Sequence, residues 1–194
     1  MAVLFVDLIG STELATRWSP EDVVSLLNRF FGIVVDTVDG HGGWVNKFEG
    51  DAALCVFGAP LPDDDCGSSA LAAGRALQAR LRRELAEVDA GVGISAGPAV
   101  AGNVGAEHRF EYTVIGKPVN EAARLCELAK QRRERLLASE AVLERASERG
   151  GGSLAARRRG RPARSPRADA RRDGRRGRRG VDRRGEAAAP GARP

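Results

Sequence analysis

Two aspartates follow short apolar segments of the sequence and are the first candidates for chemistry. Asp7 comes directly after the apolar residues 2–6, and Asp51 separates two strand-like runs, residues 44–48 and 52–57. Paired carboxylates at strand ends commonly hold Mg²⁺ ions against phosphates, so one interpretation is a metal site that binds a phosphorylated substrate. The other is two turn-forming aspartates, and spacing alone favours it because aspartate is common in turns.

Asn120 and Arg124 form the second candidate pair. Positions i and i+4 project from the same face of a helix, so an amide and a guanidinium are presented together. Such a pair suits a phosphate or a polar substrate, although taken alone it is more often a solvated helix edge. The apolar positions predicted to lie beside the pair are Val119, Ala123, Cys126 and Ala129.

Lys47 is the third candidate and lies between Asn46 and Phe48 in the first strand of a predicted hairpin. On its own it also fits an exposed strand position. Two nucleotide-binding motifs are excluded: the Gly-Lys pair at 116–117 lacks the earlier glycine of a Walker A loop, and no G-x-G-x-x-G stands between a strand and a helix. A bound nucleotide would therefore have to be held by metal ions and side chains.

The cysteines and histidines do not predict a further site. Cys55, Cys66 and Cys126 are odd in number, widely spaced and without a C-x-x-C pair. They therefore support neither a disulfide framework nor a zinc site. His41 and His108 are too scattered to change this.

The elements that must position these residues mix helices with short strands, which predicts an α+β fold with a mainly antiparallel sheet. The strongest signal is Ser19 before Pro20 and two acidic residues, a typical helix start. In chain order we predict a strand over 2–6 with a Gly/Ser/Thr turn after it, a helix ending at Gly40, a hairpin over 44–48 and 52–57, a helix over 70–88, a hairpin over 92–96 and 99–101, a strand over 112–115, a helix from 116 to about 130, a strand over 136–138 and a short helix from Ser139.

The net charge of +5 and the pI of about 9.7 describe two different parts of the chain. Residues 153–194 contain 15 arginines and 4 acidic residues, whereas residues 1–152 contain 16 basic and 22 acidic residues. The arginine-rich part has almost no large aliphatic side chains and cannot bury a core. The sequence therefore predicts one globular domain over residues 1–150 and a disordered tail over residues 151–194.

The tail admits two interpretations. One is nucleic-acid binding through counterion release from phosphates. The other is a shift of the reading frame near residues 150–152, because the tail consists mainly of Arg, Ala, Gly and Pro, whose codons can have only G or C in their first two positions. We favour the second interpretation and expect no nucleic-acid partner.

The sequence also bears on location. Its apolar runs are far shorter than the roughly 18 residues that a membrane span needs, and no basic segment precedes Met1 to suggest a secretory signal. We expect a cytoplasmic domain with no membrane contact of its own, either alone or as the cytosolic part of a membrane-anchored parent.

Four motifs in register resemble the catalytic domain of the class III nucleotidyl cyclases. They are FVDLIGST (5–12), VNKFEGD (45–51), GNVG (102–105) and FEYTVIGKPVNEAARL (110–125). The chain looks most like the actinobacterial adenylate cyclases whose catalytic domain follows a membrane-anchored HAMP segment. The resemblance covers residues 1–149 and implies a ferredoxin-like fold of βαββαβ type. It also implies truncation at both ends, because relatives begin before the first strand and finish with further strands.

The resemblance assigns roles to the candidate residues. Asp7 and Asp51 match the two aspartates that hold a pair of Mg²⁺ or Mn²⁺ ions in each active site. Lys47 matches the lysine that reads the adenine ring. Asn120 and Arg124 match the residues that orient the ribose and stabilise the transition state.

Thr113 stands where many of these cyclases have a second adenine-reading residue, an aspartate. Some bacterial adenylate cyclases have threonine or serine there, so the departure weakens an adenine assignment only slightly. Guanylate cyclases have glutamate in place of the lysine, and Lys47 therefore favours ATP.

The implied activity is conversion of ATP to 3′,5′-cyclic AMP and pyrophosphate for cyclic-nucleotide signalling. The resemblance also implies a homodimer in which one subunit supplies Asp7 and Asp51 and the other supplies Lys47, Asn120 and Arg124. Two alternatives are a truncated, inactive module that only binds nucleotide or dimerises, and a guanylate cyclase.

Overall fold

The computed structural model describes residues 1–106 and 108–150. Seven strands and five helices follow one another along this part of the chain, and its longest element is the helix that begins after Ser19. The elements are β1 (Ala2–Ile9), α1 (Ser11–Arg17), α2 (Pro20–Gly40), β2 (Gly43–Glu49), β3 (Ala52–Phe57), α3 (Cys66–Glu84), β4 (Asp89–Ala96), β5 (Val100–Ala106), β6 (Arg109–Ile115), α4 (Lys117–Lys130), β7 (Leu136–Ala138) and α5 (Glu140–Gly150).

Five of the strands form one sheet in the order β2-β3-β1-β4-β7. All neighbours are antiparallel except β4 and β7, and β5 pairs with β6 in a separate antiparallel sheet. β1 lies in the middle, so that Asp7 faces Ala52 of β3 on one side and Gly91 of β4 on the other. The run β1-α2-β2-β3-α3-β4 has the βαββαβ order, and the predicted α+β, mainly antiparallel, ferredoxin-like fold is confirmed.

Helices cover both faces of the five-stranded sheet because the side chains of a strand alternate between its faces. Leu4 of β1 belongs to the main core, which also contains buried side chains of α2 and α3. Val3 points the other way and packs with Leu54 of β3 and Ala122 of α4. Asp7 comes four residues after Val3 in a strand without a bulge, so its side chain points to the same face as Val3. This is the face of the sheet that α4 covers.

Two glycines of β4 let α4 lie directly against the sheet. A Cβ atom on Gly93 would lie 2.1 Å from the carbonyl oxygen of Ala122 and 2.3 Å from the backbone nitrogen of Cys126. A Cβ atom on Gly91 would lie 2.7 Å from Cγ of Lys130. No larger residue fits at either position unless the helix moves away.

Several local predictions are confirmed. Ser19 caps α2, and its hydroxyl accepts a hydrogen bond from the backbone N–H of Asp22 over 3.2 Å. The β2-β3 hairpin turns at Gly50, whose φ of 64° suits glycine. The predicted helix that ends near residue 130 corresponds to α4, and the predicted strand at 136–138 corresponds to β7.

The amino-terminal prediction was wrong in two respects. β1 continues to Ile9, so Asp7 lies inside the strand and not at its end. Pairing on both sides of β1 explains the extension, because each residue from Ala2 to Ile9 has a partner on β4. Residues 11–17 form the short helix α1 where a turn was predicted.

The predicted hairpin over residues 92–96 and 99–101 was also wrong. β4 is buried and pairs with β1 and β7, whereas the largely exposed β5 pairs with β6 in the other sheet. The helix predicted over 70–88 is α3, which begins earlier, at Cys66, and ends at Glu84. Leu85 follows it and is buried in the core.

The described part of the chain contains no helix that is both long and apolar enough to cross a membrane. The predictions made for residues 151–194 lie outside the described residues. The domain boundary after residue 150 stays a prediction.

Candidate active site

Asp7 and Asp51 come together where β1 pairs with the start of β3. Asp7 lies opposite Ala52, the residue after Asp51, and the N–H of Leu8 donates to the carbonyl of Asp51 over 3.4 Å. The Asp7 side chain is 17% exposed. Burial raises the pKa of its carboxyl above the ordinary value, the ammonium of Lys130 opposes the rise, and the neighbouring Asp51 carboxylate adds to it.

Lys130, at the end of α4, supplies the positive charge next to these carboxylates. Its Nζ lies 2.6 Å from Oδ2 of Asp7 and 2.8 Å from Oε1 of Glu127. Burial lowers the pKa of Lys130, but the two carboxylates outweigh burial and leave the pKa raised. No sequence pattern indicates this lysine, because its partner is 123 positions away and only the packing of α4 on β4 brings them together.

The Asp7–Asp51 pair has the chemistry of a site for hard divalent cations. Two carboxylates this close repel each other, so a cation beside them is favourable, and oxygen is the ligand that Mg²⁺ prefers. Among the described residues no group of three or more His, Cys, Asp or Glu side chains could enclose a metal ion. The protein would therefore supply two carboxylates, and substrate phosphates and water would complete the coordination.

Lys47 lies on β2, the edge strand that pairs with β3. Its Nζ is 2.8 Å from Oε1 of Glu49 and 3.8 Å from Oε1 of Glu111 on β6, and its side chain is 32% exposed. The hydrogen bond that Lys47 donates to Glu49 is the main reason that the pKa of Lys47 is raised. The lysine is thus charged and accessible, and the glutamates on β2 and β6 hold it in place.

Thr113 of β6 lies beside the same strand through its contact with Asn46. The Thr113 hydroxyl is 3.3 Å from Oδ1 of Asn46, and Nδ2 of Asn46 donates to the carbonyl of Tyr112 over 2.8 Å. The rings of Tyr112 and Trp44 are also in contact, with centroids 5.8 Å apart. These contacts bring Thr113 to the neighbourhood of Lys47, although Thr113 belongs to the smaller sheet.

Asn120 and Arg124 lie on the exposed face of α4, as the i, i+4 spacing predicts. Within the described residues neither side chain makes a hydrogen bond or an ion pair, so both are available to a ligand. A hydrogen bond of 2.8 Å from Ser95 of β4 to Glu121 fixes the helix next to them. The buried face of α4 differs from the predicted stripe, because Ala122 is buried where Ala123 was expected; its buried residues are Pro118, Ala122, Cys126 and Ala129.

The structure thus assembles two of the predicted groups. Asp7 lies with Asp51, and Lys47 lies near Thr113, but no hydrogen bond or ion pair within the described residues joins one group to the other. Asn120 and Arg124 contact neither group, and α4 positions them separately.

Fold and sequence together place the chain among the class III nucleotide cyclases. It belongs to the family of the adenylate and guanylate cyclase catalytic domain, which matches residues 1–155. Membership implies a nucleotide cyclase activity, a lyase reaction on a nucleoside triphosphate.

Close relatives come from mycobacteria. The chain is 60% identical over 152 residues to the uncharacterized protein Mb1352c of Mycobacterium bovis, a match that covers 76% of this chain and 27% of that protein. It is 60% identical over 147 residues to the uncharacterized protein Rv1319c of Mycobacterium tuberculosis, covering 76% and 28%. The chain therefore spans about a quarter of the length of the curated relatives it matches, and a preceding HAMP segment stays a prediction.

Solved structures with this fold include cyclases for both purines. The adenylyl cyclase CyaB from P. aeruginosa is 28% identical, with a TM-score of 0.68 and coverage of 76% of this chain and 80% of that chain. The guanylyl cyclase Cya2 is 33% identical, with a TM-score of 0.68 and coverage of 75% and 77%. The comparisons therefore show the family and do not distinguish an adenylate cyclase from a guanylate cyclase.

Proposed function

We propose that this chain is the catalytic domain of an adenylate cyclase that converts ATP to 3′,5′-cyclic AMP and pyrophosphate in cytoplasmic signalling. The observation that supports ATP as the substrate is that Lys47 and Thr113 lie near each other. A lysine ammonium can only donate hydrogen bonds, so it suits adenine N1, which accepts, and not guanine N1–H, which donates. Glutamate, the residue of guanylate cyclases at this position, is absent.

Asp7 and Asp51 would hold two Mg²⁺ or Mn²⁺ ions. When bound, these ions would lower the pKa of the ribose 3′-hydroxyl and neutralise the triphosphate. The paired carboxylates, one of them partly buried, support this assignment. Lys130 would have to leave Asp7 for the carboxylate oxygen to become a ligand.

Asn120 and Arg124 would act on the reacting end of the nucleotide. The amide orients the ribose, and the guanidinium stabilises the charge that develops on the phosphate oxygens as the 3′-oxygen attacks. Their freedom from internal partners supports this role. Removing one such donor typically lowers the rate by roughly 10²–10³.

A homodimer with shared sites completes the proposal. Within the described residues no hydrogen bond or ion pair joins the Asp7–Asp51 group to the other candidate residues, which agrees with sites shared between subunits. A second support is the β5-β6 hairpin, which exposes large apolar side chains on both of its faces, since exposed apolar surface often marks association. Its large exposed hydrophobic residues are Val100, Val104, Phe110, Tyr112 and Ile115.

The test is a cyclase assay with ATP and GTP side by side, in Mg²⁺ and in Mn²⁺. We expect cyclic AMP from ATP, little cyclic GMP from GTP, and no product of either kind from an Asp51→Ala variant that is otherwise folded. Preference for GTP would make the chain a guanylate cyclase. A folded wild-type chain that binds nucleotide and forms no cyclic product would favour the inactive module.

A further inference from the structure

Asn46 is the extra residue of a β-bulge in β2. In the β2-β3 ladder Val45 pairs with Cys55 and Lys47 pairs with Leu54, so Asn46 has no partner on β3. A bulge of this kind re-aims side chains and is frequent beside active sites. Here it lets the Asn46 side chain reach β6 while Lys47 keeps its place in the ladder.

The contacts of Asn46 fix which way its amide group faces. The backbone carbonyl of Tyr112 can only accept a hydrogen bond, so the amide nitrogen must lie toward it, at 2.8 Å. The amide oxygen then faces the Thr113 hydroxyl, at 3.3 Å. Because an amide oxygen can only accept, the Thr113 hydroxyl must donate its proton to Asn46.

A hydroxyl whose proton is committed in this way presents only lone pairs to other groups. Next to it, the Lys47 ammonium presents only donors. An acceptor beside a donor complements the edge of adenine, where the 6-amino group donates and N1 accepts. The corresponding edge of guanine or hypoxanthine, with a 6-carbonyl and an N1–H, has the reverse pattern.

We propose that Asn46 is a positioning residue that determines base specificity, because it holds the Thr113 hydroxyl as an acceptor for a 6-amino group. Binding of purines with a 6-carbonyl is thereby disfavoured. This inference rests on the proposed adenylate cyclase activity. Asn46 itself touches no substrate and acts through Thr113. Without Asn46, the hydroxyl is free to rotate and to donate to a 6-carbonyl.

The test compares three substrates that differ only at the base edge: ATP, purine riboside 5′-triphosphate, which lacks the 6-amino group, and ITP, which has a 6-carbonyl. In Asn46→Ala we expect kcat/KM for ITP to rise about fivefold, the effect of about one hydrogen bond. For ATP it falls a few-fold, because the hydroxyl is no longer held as an acceptor. For purine riboside triphosphate it stays within about twofold, because that base has no group to meet the hydroxyl.

Thr113→Val is the second variant, and it keeps the shape of the side chain. It should lower kcat/KM for ATP about fivefold, the effect of about one hydrogen bond, without the gain for ITP. The double variant should match Thr113→Val alone, since Asn46 works only through that hydroxyl. Asn28→Ala, an exposed asparagine on α2, is the matched control and should leave all three substrates unchanged.

Two results would overturn the inference. An equal loss for all three substrates in Asn46→Ala would mean that Asn46 only holds β6 in place, and an unchanged ITP rate would mean that it does not orient the hydroxyl. Dissociation constants for the same triphosphates, measured by calorimetry, separate this inference from the proposed activity. A chain that forms no cyclic product but still shows the ITP gain in binding refutes the activity and keeps the role of Asn46.

Discussion

The ammonium of Lys130 lies against the Asp7 carboxylate, one of the two proposed metal ligands. The contact is short, at 2.6 Å, and only about a fifth of either side chain is exposed. A lysine and a metal ion cannot both use Oδ2 of Asp7, so the two compete for it. The lysine also shields Asp7 from the like charge of Asp51 when no metal is bound.

Replacing Lys130 with methionine should therefore tighten metal binding. Methionine keeps an unbranched chain over Gly91 and removes the charge. We expect the dissociation constant for Mn²⁺, measured without nucleotide by electron paramagnetic resonance of the free ion, to fall roughly five- to tenfold, a modest part of what charges at this distance exchange.

The matched control is Glu127→Gln, which removes the other partner of Lys130 and leaves its contact with Asp7 in place. It should change the Mn²⁺ affinity by less than about twofold, because the Glu127 carboxylate is largely exposed and its charge is screened by water. Weaker Mn²⁺ binding in Lys130→Met would show that the lysine positions Asp7 for the metal and does not compete with it.

At the scale of the elements, α4 connects the sheet to the candidate site. Its distance from β4 is set by Gly91 and Gly93, and the Ser95–Glu121 hydrogen bond fixes its rotation. Within the described part of the chain, Asn120 and Arg124 make no hydrogen bond or ion pair, so their positions depend on how α4 packs against the sheet.

Gly93→Ala should push α4 away from β4. The new Cβ would lie 2.1 Å from a carbonyl oxygen of α4, and backbone atoms cannot rotate away as a side chain can. Overpacking of this kind typically costs about 1–3 kcal/mol, so the melting temperature followed by circular dichroism should fall by several degrees, on the order of 2–4 °C for each kcal/mol. Cyclase activity should fall as well.

Gly32→Ala in α2 is the comparison for that variant. It has open space around the new Cβ, and alanine favours a helix over glycine by about 0.5–1 kcal/mol. The melting temperature should therefore rise slightly and activity should not change. If Gly93→Ala melted at the wild-type temperature, the close seating of α4 on β4 would be incorrect.

The sequence predicts the elements whose signals are local. The Ser19 cap and the turn at Gly50 act within a few residues, and both predictions were confirmed. The helix α4 lies where it was predicted, although its buried face includes Ala122 and not Ala123. Strand partners depend on burial across the whole chain, which explains the wrong hairpin at residues 92–101. For the same reason the motifs identified Asp7 and Lys47, whereas Lys130 and Asn46 became visible only through contacts with distant residues.

At the scale of the whole molecule, the proposed site draws on groups of residues that no hydrogen bond or ion pair joins within the described part of one chain. The proposed dimer would place the Asp7–Asp51 group of one subunit against the Lys47, Asn120 and Arg124 side chains of the other. Each chain would then contribute to two sites, as two-fold symmetry requires.

Mixing two inactive variants tests this arrangement. Asp7→Ala and Lys47→Ala chains should each be inactive alone, and their mixture should regain up to about a quarter of the wild-type rate, since random pairing gives half heterodimers with one intact site each. The assay is cyclic AMP formation after co-refolding or co-expression.

The control is a mixture of Asp7→Ala with Asp51→Ala, which share the same half of the site and should stay inactive together. Heterodimers need to be demonstrated with two different affinity tags. Tagged heterodimers without recovered activity would mean that a complete site forms within one chain.

The placement of Lys130 and Asn120 on one helix has a consequence for communication between sites. They lie ten positions apart, or about 15 Å along α4. In the proposed dimer Lys130 contacts the metal aspartate of one site, while Asn120 and Arg124 of the same helix serve the other. A cation that displaces Lys130 therefore acts on a helix whose other end belongs to the second site. Cooperativity between the two sites would depend on how tightly Gly93 and Ser95 hold α4 against β4.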